Sequence, residues 1–159
     1  ATGEEAIQIC ETQTPDIVLM DARMPGIGGI EATLRLSKSH PKLRVIAMSS
    51  VTSGIIPSQM LRSGARAFIT KNIGVDEMLK SIRVVHEGQN YVTADAATRL
   101  ALDPFNKSRE PLFDKLSRRE LQIAQMLTDG KKVSQISEFL QLSPKTVYSY
   151  RYRIFEKLG

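Results

Sequence analysis

The sequence predicts a parallel α/β domain followed by a smaller all-α domain, and three observations support that division. Over the first two thirds, short apolar runs alternate with segments of helical periodicity, which is typical of a parallel sheet covered by helices. Residues 103–115 then form a polar segment with two prolines, which indicates a linker. Three closely spaced helical segments follow it. We therefore expect an α/β domain over 1–102 and a helical domain over 116–159.

The elements of the α/β domain follow from local residue patterns. Uninterrupted apolar runs predict buried strands over residues 16–20, 44–48 and 67–70. Helical periodicity predicts helices over residues 3–11, 29–39, 57–63, 75–87 and 95–102. A sheet of these three strands would leave its first strand unpaired at the outer edge. We therefore expect a strand, a helix and a second strand to precede residue 1, so that the N-terminal part of this domain is missing.

Composition excludes several classes of protein. The chain has 159 residues, of which 42% are hydrophobic and 25% charged, as in ordinary globular proteins. No apolar stretch is long enough to predict insertion into a membrane. Cys10 is the only cysteine and has no intramolecular disulfide partner, which suits a cytoplasmic location, and two isolated histidines predict no soft metal cluster.

The excess positive charge lies in the second domain. Residues 1–103 carry 11 basic and 11 acidic side chains, whereas residues 104–159 carry 11 basic and 6 acidic ones, which accounts for the whole net charge of +5. A basic domain beside a neutral one favours a polyanionic partner, most simply nucleic acid. A solvated basic face without a partner is the alternative.

Three polar side chains follow the three predicted strands. Asp21 comes directly after the first strand, and Ser49 and Lys71 follow the second and third. The carboxyl ends of parallel strands are where open α/β sheets bind ligands, and Gly28 and Gly29 allow backbone to approach a ligand that lies over Asp21. A carboxylate, a hydroxyl and an ammonium group around one point predict a site that accepts a phosphoryl group. Taken one at a time, these residues are equally compatible with a turn cap, a loop hydroxyl and a solvated lysine.

Capping signals define three helices in the second domain. Ser117 and Glu120 have the spacing of a capping box, and Ser143 precedes a proline, which favours a helix start. The predicted helices run over residues 117–128, 133–140 and 143–158. This arrangement is that of a helix-turn-helix, whose last helix enters the major groove of DNA.

The last helix has one apolar side and one polar side. Its periodicity predicts a core-facing stripe of Val147, Tyr150, Ile154 and Leu158, with Phe155 beside it. The opposite side offers cations for phosphates and hydroxyls for base edges. The candidate DNA-contacting residues are Lys145, Thr146, Tyr148, Ser149, Tyr152 and Arg153.

Arg151 lies near the predicted core stripe, where an unpaired charge is costly. Its guanidinium either extends outward to a phosphate or pairs with an acidic residue of the first helix, for which Glu120 is the candidate. Both alternatives stay open from the sequence.

Two families of domains are similar to these segments. The runs DIVLMDARMPGIGGIEAT, VIAMSS and GARAFITK resemble the phosphoacceptor strand and loop, the switch-hydroxyl strand and the final strand of response-regulator receiver domains. The last 44 residues, from LSRRELQ to the end, resemble the LuxR-type helix-turn-helix of the NarL/FixJ response regulators. The pieces MPGIGGIEAT, PLFDKLSRRE and SPKTVYSYRYRIFEKL are most similar to the GacA/UvrY branch of that family. The resemblance implies a flavodoxin-like receiver followed by a LuxR-type DNA-binding domain.

The resemblance also implies roles for individual residues. Asp21 would be the phosphoacceptor, Ser49 the switch hydroxyl, Phe68 the rotating aromatic and Lys71 the phosphate-binding lysine. Mg²⁺ would be the cofactor, held by Asp21 and the backbone carbonyl of Arg23, but the acidic pair that completes the family's metal site is absent from this sequence. Phe68 is equally compatible with simple core packing.

The resemblance implies a phosphorylation-controlled, DNA-binding transcriptional regulator of a two-component phosphorelay. Its partners would be promoter DNA, a sensor histidine kinase and, when the chain is complete, a second copy in a homodimer, although the family's last helix is absent here. The alternative is a constitutive DNA-binding regulator whose receiver serves only for protein contacts. A phosphotransfer enzyme is disfavoured, because no second carboxylate closely follows Asp21 to act as acid or base.

Overall fold

The computed structural model describes residues 2–50, 55–102 and 115–159. Most of the expected linker, residues 103–114, lies outside the described part of the chain. No helix among the described residues is long and apolar enough to cross a lipid bilayer.

Over the described residues, a four-stranded parallel sheet forms the centre of the first domain, and its strands lie side by side in the order in which they occur along the chain. The first three strands confirm the sequence prediction to within one residue at either end. The fourth was not predicted, because its two residues are too short to show a period; it pairs with Ala67 and Phe68. The strands are β1 (Ile17–Asp21), β2 (Arg44–Ser49), β3 (Ala67–Thr70) and β4 (Tyr91–Val92).

Helices cover both faces of this sheet, as the alternating pattern predicted. In β2, Val45 and Ala47 join a core cluster with Leu36 of α2 (Gly28–Ser39), whereas Ile46 joins a second cluster with Val85 of α4 (Val75–His86). Successive strand residues point to opposite faces, so each strand contributes to both layers. The helices of this domain are α1 (Gly3–Gln13), α2 (Gly28–Ser39), α3 (Ile56–Arg62), α4 (Val75–His86) and α5 (Ala94–Leu102).

Three helices form the second domain: α6 (Arg118–Thr128), α7 (Val133–Leu140) and α8 (Pro144–Leu158). The predicted capping box is present, because the Ser117 side chain accepts from the Glu120 N–H while the Glu120 carboxylate accepts from the Ser117 N–H at 2.7 Å. Ser143 caps α8 as predicted. The buried apolar residues of the three helices are Leu121, Ile123, Ala124, Ile136, Leu140, Val147 and Ile154.

One expectation for α8 was wrong, and one of the two alternatives left open for Arg151 is not found. Phe155 is 59% exposed and is not part of the core. Glu120 pairs with Lys157, whose Nζ lies 2.6 Å from Glu120 Oε2, and Arg151 instead lies over the Phe155 ring at 5.6 Å. Lys157 follows Ile154 by three residues and so shares the side of α8 that faces α6, whereas Arg151 lies on the exposed side.

The ionised form of Glu120 is stabilised by folding. Its side chain is almost fully buried, and burial raises the pKa of a carboxyl group, but hydrogen bonds from Lys157 and Ser117 outweigh that effect and hold the pKa of Glu120 below its ordinary value. A carboxyl whose pKa is lowered by folding stabilises the protein at neutral pH.

Removing the Lys157 ammonium should therefore destabilise the helical domain. We expect Lys157→Met to lower its free energy of unfolding by about 1 to 2 kcal/mol at neutral pH, since a buried carboxylate loses a charged hydrogen-bond partner. Denaturant titration followed by tyrosine fluorescence measures this, because three of the four tyrosines lie in α8. Lys145→Met, in the same helix but outside the ion pair, is the matched control.

The same pair predicts a pH dependence. The contribution of Glu120 is fully present above the range in which an unfolded glutamate titrates, and it is lost as the pH falls through the lowered pKa. Stability of the wild type should therefore fall more steeply on acidification than that of Lys157→Met. Parallel acid profiles for the two proteins would contradict this account.

Candidate functional site

The parallel register brings the three predicted polar residues to one edge of the sheet. Asp21 is the last residue of β1 and pairs with Met48, Ser49 ends β2 and pairs with Thr70, and Lys71 follows β3. The Lys71 N–H donates to the Ser49 carbonyl at 2.9 Å, so the chain after β3 stays bound to the end of β2. All three residues thus lie at the carboxyl ends of neighbouring strands.

Asp21 and Lys71 form an ion pair at this edge. Lys71 Nζ lies 2.5 Å from Asp21 Oδ2, and the other carboxylate oxygen, Oδ1, accepts the Arg23 N–H at 2.9 Å. The Asp21 side chain is 31% exposed, so it is accessible to solvent. A cation and a backbone donor therefore surround an accessible carboxylate, which is an arrangement that stabilises added negative charge.

Helix α2 begins directly against the Asp21 backbone. A Cβ atom on Gly29 would lie 2.0 Å from the Asp21 carbonyl oxygen, so only glycine permits this approach. The first turn of α2 therefore lies next to the strand end, and the amino end of a helix favours negative charge.

Ser49 and Phe68 are both buried beside this edge. Ser49 is 1% exposed at the end of β2. Phe68 is completely buried in β3 and belongs to the main core cluster, so the structure shows the core packing that the sequence left open for it.

The described residues supply only part of a Mg²⁺ site. Among them, no group of three or more His, Cys, Asp and Glu side chains could hold a metal ion. Asp21 offers a carboxylate and Arg23 a backbone carbonyl, which are oxygen ligands of the kind that Mg²⁺ prefers, but two ligands do not make a complete site.

The side of α8 away from the core is open to solvent. Tyr148 and Tyr152 are 55% and 70% exposed, and Lys145, Ser149 and Arg153 are also exposed. Thr146 differs from the other candidates, because it is half-buried and its Oγ1 lies 2.8 Å from the capping Ser143 Oγ. The exposed side combines two cations with three hydroxyl groups, which suits contacts to phosphates and base edges.

Two sets of residues near these sites were missed by the sequence analysis. A cleft beside Tyr148 is also lined by Lys131, Lys132 and Arg151, and the paired lysines in a basic segment were a visible signal for it. The second set joins the two domains through Arg23 and Asp129, whose side chains form an ion pair at 2.8 Å. No local pattern connects two residues so far apart in the chain.

Comparison with known families agrees with both halves of the structure. Residues 1–83 match the response regulator receiver domain, and residues 114–159 match the bacterial regulatory proteins of the luxR family. The chain belongs to the response regulators that join a receiver domain to a LuxR-type DNA-binding domain.

Named relatives refine this assignment. The chain is 46% identical to the response regulator GacA of Pseudomonas protegens over 158 residues, which cover 99% of this chain and 74% of the relative. It is 44% identical to the response regulator UvrY of Escherichia coli K12, again over 99% of this chain and 72% of the relative. The predicted similarity to the GacA/UvrY branch is confirmed.

Solved structures show the same fold. A LuxR-family two-component response regulator from Aurantimonas aligns with a TM-score of 0.62 at 28% identity, covering 66% of this chain and 75% of that chain. RcsB from Salmonella enterica serovar Typhimurium, solved bound to promoter rprA, aligns with a TM-score of 0.63 at 19% identity, covering 99% of this chain and 76% of that chain. The predicted fold class, a parallel α/β receiver followed by a helix-turn-helix domain, is confirmed.

These findings define the function at the level of the family. The protein is a phosphorylation-controlled, DNA-binding regulator of transcription in a two-component system. Its relatives are regulators rather than enzymes, and a constitutive regulator is not favoured.

The close approach of α2 to Asp21 can be tested with an added methyl group. We expect Gly29→Ala to destabilise the receiver domain by about 1 to 3 kcal/mol, the usual cost of overpacking, because α2 must move away from the Asp21 carbonyl. Thermal unfolding measured by circular dichroism checks this. Gly74→Ala is the matched control, since a Cβ at Gly74 would meet nothing within 4 Å. Equal melting temperatures for the two variants would contradict the steric account.

Proposed function

We propose that Asp21 is the residue that accepts the phosphoryl group. The observation that carries this proposal is the partly exposed Asp21 carboxylate, with Lys71 Nζ at 2.5 Å and the Arg23 N–H at 2.9 Å. A carboxylate oxygen forms a bond to phosphorus while the bond between phosphorus and the donor breaks, and the electrons of that bond leave with the donor. With a sensor histidine kinase as donor, the leaving atom is an imidazole nitrogen.

The neighbouring side chains would hold the product. Lys71 is placed to pair with the oxygens of the new phosphoryl group, which carries up to two negative charges. Ser49 would donate its hydroxyl to one of those oxygens, and Phe68 would repack in response. The burial of Ser49 and Phe68 supports a response that spreads through packed side chains rather than through solvent.

We propose Mg²⁺ as the cofactor of phosphorylation, with Asp21 and the Arg23 carbonyl among its ligands. Such an ion supplies charge neutralisation to a transferring phosphoryl group. The described residues hold no group of three or more His, Cys, Asp and Glu side chains that would complete such a site.

The proposed partners and organisation follow from the two domains. A receiver over 1–102, a linker over 103–115 and a DNA-binding domain over 116–159 would place promoter DNA at the basic end of the chain. We propose that the protein acts in the cytoplasm as a homodimer, is phosphorylated by a sensor histidine kinase, and does not itself turn over a substrate as an enzyme.

Helix α8 is the proposed DNA-reading element. Lys145 and Arg153 would contact phosphates, and the exposed Tyr148 and Ser149 would contact base edges, with Tyr152 adding a further hydroxyl. Thr146, whose hydroxyl is within hydrogen-bond distance of Ser143, would fix the start of the helix in addition to any contact with DNA.

Intact mass spectrometry tests the phosphoacceptor. After incubation of the full-length protein with acetyl phosphate and Mg²⁺, we expect one labile phosphoryl group on the wild type and none on Asp21→Asn. Lys71→Gln should be modified but should lose the response of DNA affinity to phosphorylation. An unmodified wild type, or a modified Asp21→Asn, would overturn the assignment of Asp21.

Salt titrations of DNA affinity test the role of α8. We expect Lys145→Ala and Arg153→Ala to weaken all DNA sequences alike and to reduce the salt slope by about 0.9 per lost phosphate contact. Substitution of Tyr148 or Ser149 should instead change which sequences are preferred. Lys42→Ala, an equal change of charge on the exposed surface of the receiver, should leave both properties unchanged. If neither set of variants alters binding, α8 is not the reading element.

A further inference from the structure

A cavity lies between the receiver and the helical domain. Its volume is about 270 Å³, close to the lower end of the range for small-molecule sites, about 300 to 1,000 Å³. The receiver supplies Ile27 and Ile30 at the start of α2, and the helical domain supplies Met126 of α6 and Phe139 of α7. Apolar side chains from both domains therefore line a space that suits a small organic molecule.

Direct contacts between the domains hold the walls of this cavity in place. Gln122 Nε2 donates to the Met24 carbonyl at 3.1 Å, and Arg119 Nη1 donates to the Gly26 carbonyl. Burial lowers the pKa of Arg119, which indicates that solvent is largely excluded around its guanidinium. The cavity is thus formed before a ligand binds, as is usual for small-molecule sites.

The charged residues that line the cavity leave one positive charge in excess. Asp129 pairs with Arg23 at 2.8 Å, and Glu31 pairs with Arg118 at 3.5 Å, so both lining carboxylates have a cationic partner. Lys131 also lines the cavity, and its ammonium has no acidic partner within residues 2–50, 55–102 and 115–159. The lining therefore favours a ligand with a single negative charge.

The end of α6 fixes the position of Lys131. Gly130 has a positive φ of 75°, and the Lys131 N–H donates back to the Met126 carbonyl at 3.1 Å, as in a Schellman cap. Gln125 lines the cavity from the last turn of the same helix, and its side-chain amide has no hydrogen-bond partner in the described part of the chain. An ammonium and an amide donor thus lie at the same end of α6.

We propose that this cavity binds a small aromatic carboxylate. The carboxylate accepts hydrogen bonds from Lys131 Nζ and from the Gln125 amide, and the ring lies among the apolar side chains of α2, α6 and α7. An aromatic ring suits the cavity because Phe139 and Met126 both make favourable contacts with rings. The inference goes beyond the proposed function and requires neither phosphorylation of Asp21 nor binding of DNA.

Fluorine NMR of the full-length protein tests the site with para-trifluoromethylbenzoate as the probe. We expect a dissociation constant of about 1 mM or lower, which is typical of a ligand of this size. Lys131→Gln should weaken binding about three- to tenfold, because one charged hydrogen bond is lost. Lys132→Gln is the matched control, since Lys132 does not line the cavity, and it should bind the probe as the wild type does.

The neutral amide of the same probe separates the effect of charge from that of shape. para-Trifluoromethylbenzamide has nearly the same size but no charge, so it should bind the wild type about threefold or more weakly than the acid does. It should also bind Lys131→Gln and the wild type equally. Equal affinity of the wild type for acid and amide, or an equal loss in Lys132→Gln and Lys131→Gln, would overturn the assignment of a carboxylate.

Filling the cavity tests its location. Gln125→Trp places a large side chain in the cavity and removes the amide, so it should abolish binding of the probe. Gln89→Trp, the same substitution at an exposed position after α4, should leave binding unchanged. Circular dichroism checks that both variants are folded. A folded Gln125→Trp protein with the affinity of the wild type would refute this cavity as the site.

Hydrogen–deuterium exchange of the wild type tests the location without a substitution. A molecule in the cavity contacts both domains, so the probe should slow exchange in α2 and α6 together. With the probe at three times its dissociation constant we expect about fourfold slowing, because openings that release a ligand become rarer by one plus the ratio of its concentration to that constant. Helix α4, which packs in the other core cluster, should be unaffected. Protection of one domain alone would refute a site shared by both.

Discussion

Parallel pairing of β1, β2 and β3 is the constraint on which the rest of the receiver depends. Because the strands run in one direction, their last residues meet at one edge, where β1 ends in Asp21, β2 ends in Ser49 and β3 is followed by Lys71. If β1 and β3 ran in opposite directions, Asp21 and Lys71 would lie at opposite ends of the sheet. The ion pair between them is thus a consequence of topology, and the turns and helices at that edge are arranged around it.

The segment between β1 and α2 serves two purposes with few residues. Its backbone places a donor on Asp21, and its carbonyls and the Arg23 side chain face the helical domain. Glycines make this possible, because side chains at Gly28 and Gly29 would collide with Gln122 and with the Asp21 backbone. Site chemistry and contact between domains are therefore encoded in the same short stretch, and a substitution there affects both.

Most of the fold could be predicted because its signals are local. Continuous apolar runs identified β1 to β3, and capping residues such as Ser117 and Ser143 identified the helix starts. Strand β4 could not be predicted, since two residues carry no period and its pairing with β3 exists only after folding. The grouping of Asp21, Ser49 and Lys71 at one edge of the sheet was predictable, because each residue directly follows an apolar run that predicts a strand.

Other features depend on tertiary packing. Helical periodicity placed Phe155 and Arg151 near the core stripe, but a three-helix domain buries too little surface to cover every apolar residue of α8. The sequence does not predict that Lys157, and not Arg151, pairs with Glu120, because that pairing depends on the angle at which α6 and α8 pack. The contact between Arg23 and Asp129 joins residues 106 positions apart, and each of them is an unremarkable surface charge in its own local sequence.

Helix α8 is held in place at both ends. Ser143 caps its amino end, and Lys157 near its carboxyl end forms an ion pair with buried Glu120. Its backbone direction is therefore set before any ligand arrives, so binding need not order the helix itself. The conformational entropy left to lose lies in long, exposed side chains such as Lys145 and Arg153. Preorganisation of this kind would make affinity at the proposed reading surface depend mainly on the chemistry of the side chains that α8 presents.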